Sequence, residues 1–391
     1  MNIFSKNLFF IIIIIGFFLL LVEFISGLVL KINITNESSD KVTQSNSSFE
    51  LYADYEWYEE FLNDTKINPA PSYSYFPYAM WNTKNWESKF INIDSNGVRN
   101  TINQDYKNSD IYRIYMFGGS TMENVEVPDK YTIASNVSNI LSRSDLSNIY
   151  QFEVINFGSG AYTSTQQLIR LIYEAQRDFK DYGKPNLVIF YDGVNDVFNG
   201  VYLERPGIHD AYDRIKLRYD DINSFYILKI RELLKQKSKA FQLISYLLNE
   251  NDEGRYFQNR DLNYTKYAVE STGIYRQNIS AIKALGKAFN FDSIFFLQPQ
   301  IFESKELSSY DLNILNQWNK NNPRMAEAYQ IGYSEFKKLV DNNLMISLTD
   351  VFDGSKKPIY KDYCHVGPYA DLLVAKSISK YIINNFEAYK P

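Results

Sequence analysis

The chain has 391 residues, of which 22% are charged, and a net charge of −5. That length holds one large domain or two ordinary ones with ample core material, and the acidic balance offers no basic face for nucleic acid. A single cysteine, Cys364, and two histidines, His209 and His365, exclude an intramolecular disulfide, a cysteine-based metal site and a histidine-rich metal centre.

The first thirty residues predict a membrane anchor. Leu8 to Leu30 is an apolar run interrupted by Glu23. At ~1.5 Å per residue it spans a hydrocarbon core of ~30 Å. No A-x-A-like cleavage site follows, which favours an uncleaved anchor over a signal peptide. Lys6 places the N-terminus in the cytoplasm, with Lys31 weakening that bias, so the remainder faces the periplasm or the outside. Residues 31–50 are polar and aperiodic, as in a juxtamembrane linker. Residues 51–110 are aromatic and irregular and read as an N-terminal cover on the main domain. Sequons at Asn33, Asn46 and Asn278 carry little weight in so asparagine-rich a chain.

From residue 111 the pattern changes to β-rich runs at 112–117, 152–157, 186–191, 293–298 and 344–349. Helix-period segments lie between them, near 131–142, 164–180, 266–289 and 325–341, with a last helix over 368–385. Continuous apolar strands alternating with helices predict a five-stranded parallel sheet covered on both faces, a flavodoxin-like α/β/α sandwich of order 2-1-3-4-5. An insertion at 198–265, helical around 222–249, is expected to shape the substrate site. Its basic run, Lys229 to Lys239, reads as a solvated helix face. The aromatic content of 16% follows from AT-rich codons, with sugar stacking kept for individual rings.

Four strand ends carry the chemistry. FGGST at 117–121 follows the first strand and presents Ser120 in a glycine turn, where active sites of parallel sheets gather. It lacks the lysine of a P-loop. The turn at Gly158 and Gly160 begins like a dinucleotide fingerprint, but Thr163 occupies the third glycine position, so an N–H for an oxyanion is the better reading. After the third strand, Asn195 of the G-x-N-D pattern can donate into the same crevice, and Asp196 organises its loop. After the fifth strand, Asp362 and His365 are spaced so that the carboxylate reaches Nδ1 of the ring, while Cys364 reads as a packed small residue.

In this order the blocks resemble the SGNH/GDSL hydrolase superfamily over about residues 111–385, in the branch whose nucleophile block reads GGST. Gly193, Val194, Asn195 and Asp196 match G-x-N-D in full, and Asp362 with His365 matches D-x-x-H. The resemblance implies Ser120 as nucleophile, His365 as base and Asp362 as its orienter. It implies an oxyanion hole of the Ser120 N–H, the Asn195 amide and one N–H of the second block. There the usual glycine is Ala161, so the donor is Ala161 or Gly160. The upstream segment Ile91 to Thr101 is a softer match. The implied protein is a cofactor-free, membrane-anchored esterase or deacylase acting on an acylated glycan, lipid or small molecule outside the cytoplasm. An O-acyltransferase modifying a cell-surface polysaccharide and a catalytically silent glycan-binding protein are the alternatives.

Overall fold

The computed structural model describes residues 11, 13–31, 50–67, 72–104, 110–247 and 262–390. Most of the polar linker, the sequons at Asn33 and Asn46 and the last part of the insertion lie outside them. The described chain forms two compact units, one within Ser48–Asp210 and Leu262–Pro391, the other within Met1–Ser47 and Ala211–Asp261.

The first helix of the smaller unit, α1 (Ile13–Lys31), is long and apolar enough to cross a membrane or to serve as a signal sequence. In the larger unit, the segment ahead of the main sheet holds a helix, α2 (Tyr58–Ile67), and two short hairpins. One is β1 (Tyr73–Phe76) with β2 (Met80–Thr83), the other β3 (Trp86–Glu87) with β4 (Asn92–Ile93). Leu51, Tyr52, Tyr58, Phe61 and Phe90 bury their side chains with Val127 and Tyr310 of the main body. This segment therefore owes its core to what it packs on.

The main sheet is built from β5 (Ile111–Gly118), β6 (Gln151–Asn156), β7 (Leu187–Asp192), β8 (Asp292–Leu297) and β9 (Ile346–Ser347). All pairs are parallel, and the order β6-β5-β7-β8-β9 is the expected 2-1-3-4-5. β7 is buried at every residue, which is why LVIFYD shows no polar alternation. β9 is shorter than its apolar run because only Ile346 and Ser347 pair with Phe296 and Leu297.

Helices enclose the sheet: α3 (Ser120–Glu123) is a single turn, followed by α4 (Ile133–Leu141), α5 (Ser164–Gln176), α6 (Val194–Val197) and, after the insertion, longer helices. The insertion supplies α7 (Tyr212–Asp220), α8 (Ile222–Lys237) and α9 (Lys239–Leu247) to the smaller unit. The larger unit resumes with α10 (Tyr264–Phe289), α11 (Ser309–Asn321), α12 (Pro323–Asp341) and α13 (Pro368–Asn384). On one face of the sheet, Ile114, Met116, Ile189 and Phe296 pack against Ile133 and Val137 of α4 and Val374 and Ile378 of α13. On the other, Phe157, Phe117, Phe190 and Phe295 form a ladder of near-parallel rings, with successive centroids 5.0, 5.2 and 5.1 Å apart. Each such ring contributes roughly 1.5–3 kcal/mol by burial, so the ladder fixes the register of the strands that carry the site.

Two helices stop short of their sequence pattern. α5 ends at Gln176 because Asp178 and Phe179 adopt φ 52° each, turning the Phe179 ring into the core. The expected helix at 222–249 breaks at Ser238, which is extended (φ −110°, ψ 120°), and its last two residues lie outside the described ones.

Candidate active site

Ser120 opens α3 directly beyond the end of β5. The preceding Gly119 has no room for a side chain: a Cβ there would lie 2.1 Å from Nδ2 of Asn195. The second glycine of GGST thus lets the Asn195 amide approach the serine turn. Gly193 ahead of α6 has φ 121°, and a Cβ would lie 2.6 Å from Leu297. Its freedom lets β7 turn at once into the helix that presents Asn195.

At the far end of the chain, Tyr360 and Val366 bridge across a tight loop just before α13. Within it, Asp362 Oδ1 accepts the N–H groups of Cys364 and His365, both at 2.8 Å. Its Oδ2 lies 2.7 Å from His365 Nδ1, and His365 Nε2 lies 2.8 Å from Ser120 Oγ. The three side chains form one hydrogen-bonded chain joining residues 245 positions apart. Burial works against a charged ring at His365. The Asp362 carboxylate, by its hydrogen bond to Nδ1 and its charge, works the other way and raises His365 above the ordinary imidazole range. Burial pushes the Cys364 thiol up, so at neutral pH that thiol is protonated and the negative charge beside the ring is that of Asp362. Burial also pushes Asp362 up, but the hydrogen bonds from His365 and from the two backbone N–H groups prevail, leaving it below the usual carboxylate value.

The sequence model of the GDSL-like lipase/acylhydrolase family matches residues 114–377. The chain belongs to that family. No curated protein matches it in sequence. Among solved structures it is similar to TesA, at 11% identity and a TM-score of 0.36, covering 69% of this chain and 98% of that one. It is likewise similar to the psychrotrophic esterase EstA from Pseudoalteromonas sp., at 11% identity and a TM-score of 0.36, over 70% and 98% of the two chains. An acetyl xylan esterase from Geobacillus stearothermophilus is similar at 13% identity and a TM-score of 0.34, over 70% and 95%. These likenesses are weak, and membership of the GDSL family rests on the residues matched by its sequence model.

The turn after β6 holds the two N–H groups between which the sequence left a choice, those of Gly160 and Ala161. The Gly160 N–H is directed at the Glu123 carboxylate, where it helps offset the upward push of burial on that acid. The Ala161 N–H meets no acceptor among the described residues. Ala161 stands at φ 61°, a left-handed conformation that costs an alanine ~1–2 kcal/mol. Neighbours hold it there: Trp81 Nε1 donates to Gly160 O at 3.0 Å, and Asn195 Nδ2 donates to Tyr162 O at 3.0 Å. The Tyr162 hydroxyl in turn donates to Trp81 O. The β1–β2 hairpin is therefore built into the turn, a role that sequence reading of residues 51–110 missed.

Asp196 accepts its own backbone N–H in its loop and also reaches the start of α5, accepting the Ser164 N–H at 3.2 Å and the Ser164 hydroxyl at 2.6 Å. Nearby Asp192 accepts from Gln167 Nε2 at 2.6 Å and from the Tyr275 hydroxyl at 3.0 Å. Burial raises both acids, Asp196 to about 6 and Asp192 further, with the charge of Asp196 adding to the effect on Asp192. Asn278 is buried and donates to Ser164 Oγ and Thr165 Oγ1, so its sequon lies in the core. Arg99, in the soft-match segment, is buried and ion-paired with Asp129, and its Nη2 donates to Val127 O at 2.9 Å. It ties that segment to the loop after Ser120.

His209 takes no part in the Asp362–His365–Ser120 hydrogen bonds. It is half-buried, edge-on to Trp81 with centroids 5.9 Å apart, and burial lowers its pKa. Asp362, Cys364 and His365 offer ligand atoms within 4.8 Å of one another, as a metal set would. Both ring nitrogens of His365 are already directed at Asp362 and Ser120, and the thiol is held protonated, so the group fits proton transfer better than metal binding.

Proposed function

We propose that this family member is a serine esterase or deacylase in which Ser120 attacks an ester carbonyl, His365 takes the hydroxyl proton and Asp362 orients the ring. The observation that carries this reading is the unbroken contact from Asp362 Oδ2 through His365 to Ser120 Oγ. Asp362 fixes the proton on Nδ1 and leaves Nε2 to accept from Ser120. As the tetrahedral intermediate forms, its oxyanion receives the N–H groups of Ser120 and Ala161 and the second hydrogen of the Asn195 amide. Each such donor accounts for ~10²–10³ in rate. His365 then protonates the leaving alkoxide, and water repeats the sequence on the acyl-serine.

The proposed setting is extracytoplasmic, with α1 as an uncleaved single-pass anchor and an acylated glycan or lipid as substrate. The length and apolar character of α1 support the anchor, and the aromatic hairpin beside the oxyanion turn suits a sugar-bearing substrate. The full chain in detergent is expected to react with a fluorophosphonate probe, while Ser120→Ala and His365→Ala do not. A folded wild-type chain that stays unlabelled overturns the reading in favour of a silent binding protein. If labelling holds, faster consumption of an acetyl donor on adding acceptor glycan identifies an O-acyltransferase; an unchanged rate identifies a hydrolase.

A further inference from the structure

Glu23 is the one acid within α1, about 12 Å along the axis from Lys31 at 1.5 Å per residue. A carboxylate at that depth of a membrane span needs partners. It has them inside the smaller unit: Ser238 Oγ donates to Oε1, and the N–H groups of Lys239 and Ala240 donate to Oε2 at 2.6 and 3.2 Å. Glu23 therefore caps α9, satisfying amides that hydrocarbon would leave unbonded. One turn along α1, a Cβ on Gly27 would sit 3.7 Å from the Lys239 side chain, and Ser26 on the same face is buried. The insertion is thus joined to the membrane-spanning helix below the level of its outer end.

Two helices of the insertion are apolar where a water-facing helix would be polar. Along α8, Ile222, Tyr226, Ile230 and Leu233 recur at helical spacing on one face, with Ile227 and Leu234 flanking them, and all are exposed. Ile244 and Leu247 of α9 are exposed as well. Between residues 211 and 247 eight basic side chains stand against four acidic ones, although the chain as a whole is at −5.

We propose that α8 and α9 lie in the outer leaflet beside α1, with the α8 stripe against acyl chains and the basic residues among anionic headgroups. This rests on reading α1 as a membrane span. The occupant of the exposed face is then the bilayer in which the chain's own helix stands, and the insertion is a membrane-surface element.

The test uses the full chain in phosphatidylcholine–phosphatidylglycerol vesicles. An environment-sensitive thiol label is placed at Ile230→Cys, Leu233→Cys, Ile244→Cys or, on the opposite face of α8, Glu232→Cys. Cys364 is buried, and the unsubstituted chain carried through the same labelling supplies the blank. Spin-labelled lipids are expected to quench positions 230, 233 and 244 strongly and position 232 weakly. Glu23→Leu is expected to lose the quenching at 244, and Glu23→Gln, which keeps an acceptor, to retain it. A chain that floats with the vesicles but shows no quenching on the stripe overturns the proposal and leaves the anchor standing. Energy transfer between copies in that case identifies a second copy as the occupant. Equal quenching at 230 and 232 overturns the surface orientation. Quenching at 244 that survives Glu23→Leu overturns the role of Glu23. A chain that fails to float removes the anchor reading itself.

Discussion

On the proposed mechanism Ser120 Oγ is a poor nucleophile while it keeps its proton, and His365 Nε2, 2.8 Å away, is placed to take that proton. Since Asp362 holds the correct ring tautomer, Asp362→Asn is expected to lower kcat by ~10⁴ while the fold persists, as steady-state kinetics and a melting curve will show. The same contact sets the pH response. His365 titrates above the ordinary imidazole range, and only its neutral form accepts a proton, so the acid limb of kcat/KM should lie above that range. The stability linkage has the opposite sign. A raised folded-state pKa stabilises the fold fully below the unfolded value of ~6.5, and the contribution is lost as pH rises through the folded value. Activity should therefore climb with pH while this contribution to stability falls, a divergence that kinetics and thermal melts measured across one pH series will reveal. The three residues of this chain were legible because a scarce histidine followed an aspartate at a spacing suited to one turn. Ala161 against Gly160 was not legible: the choice turns on Glu123, which no local pattern ties to that loop.

The hairpin of β1 and β2 is bonded to the turn after β6 through side chains far away in sequence. Trp81→Phe removes the N–H that holds Gly160 O and leaves the ring in place, so kcat is expected to fall several-fold with KM little changed. Ala161→Gly relieves the left-handed strain but frees the turn, and assays should show a gain in stability without a gain in rate. Arg99→Ala leaves Asp129 buried without its cation, an expected loss of ~3–5 kcal/mol by denaturant unfolding. Sequence located the helices and strands of the main sheet because apolar periodicity survives in a doubly covered sheet. It did not resolve residues 51–110, whose short strands bury too little to leave a period, nor the break at Ser238, whose cap comes from Glu23 in another helix.

On the scale of the chain, two demands are met by separate units. The larger one encloses a parallel sheet whose order followed from the alternation of strand and helix. The smaller one gathers the apolar N-terminal helix and the insertion, a pairing that no spacing in the sequence announces, because it joins segments some two hundred residues apart. An uncleaved anchor predicts a membrane-bound species of 45.7 kDa that resists carbonate extraction, whereas signal cleavage would give a shorter, extractable one; mass spectrometry of the washed membrane separates them. The 245 residues between Ser120 and His365 also have a meaning in time. Synthesis runs from the N-terminus, so Ser120 is made 245 residues before the histidine that bonds it. The Tyr112 hydroxyl of the first core strand likewise donates to Tyr389 O, 2.8 Å away and 277 residues further along the chain. On the proposed mechanism, a nascent chain that has passed Ser120 but not yet reached His365 is unreactive.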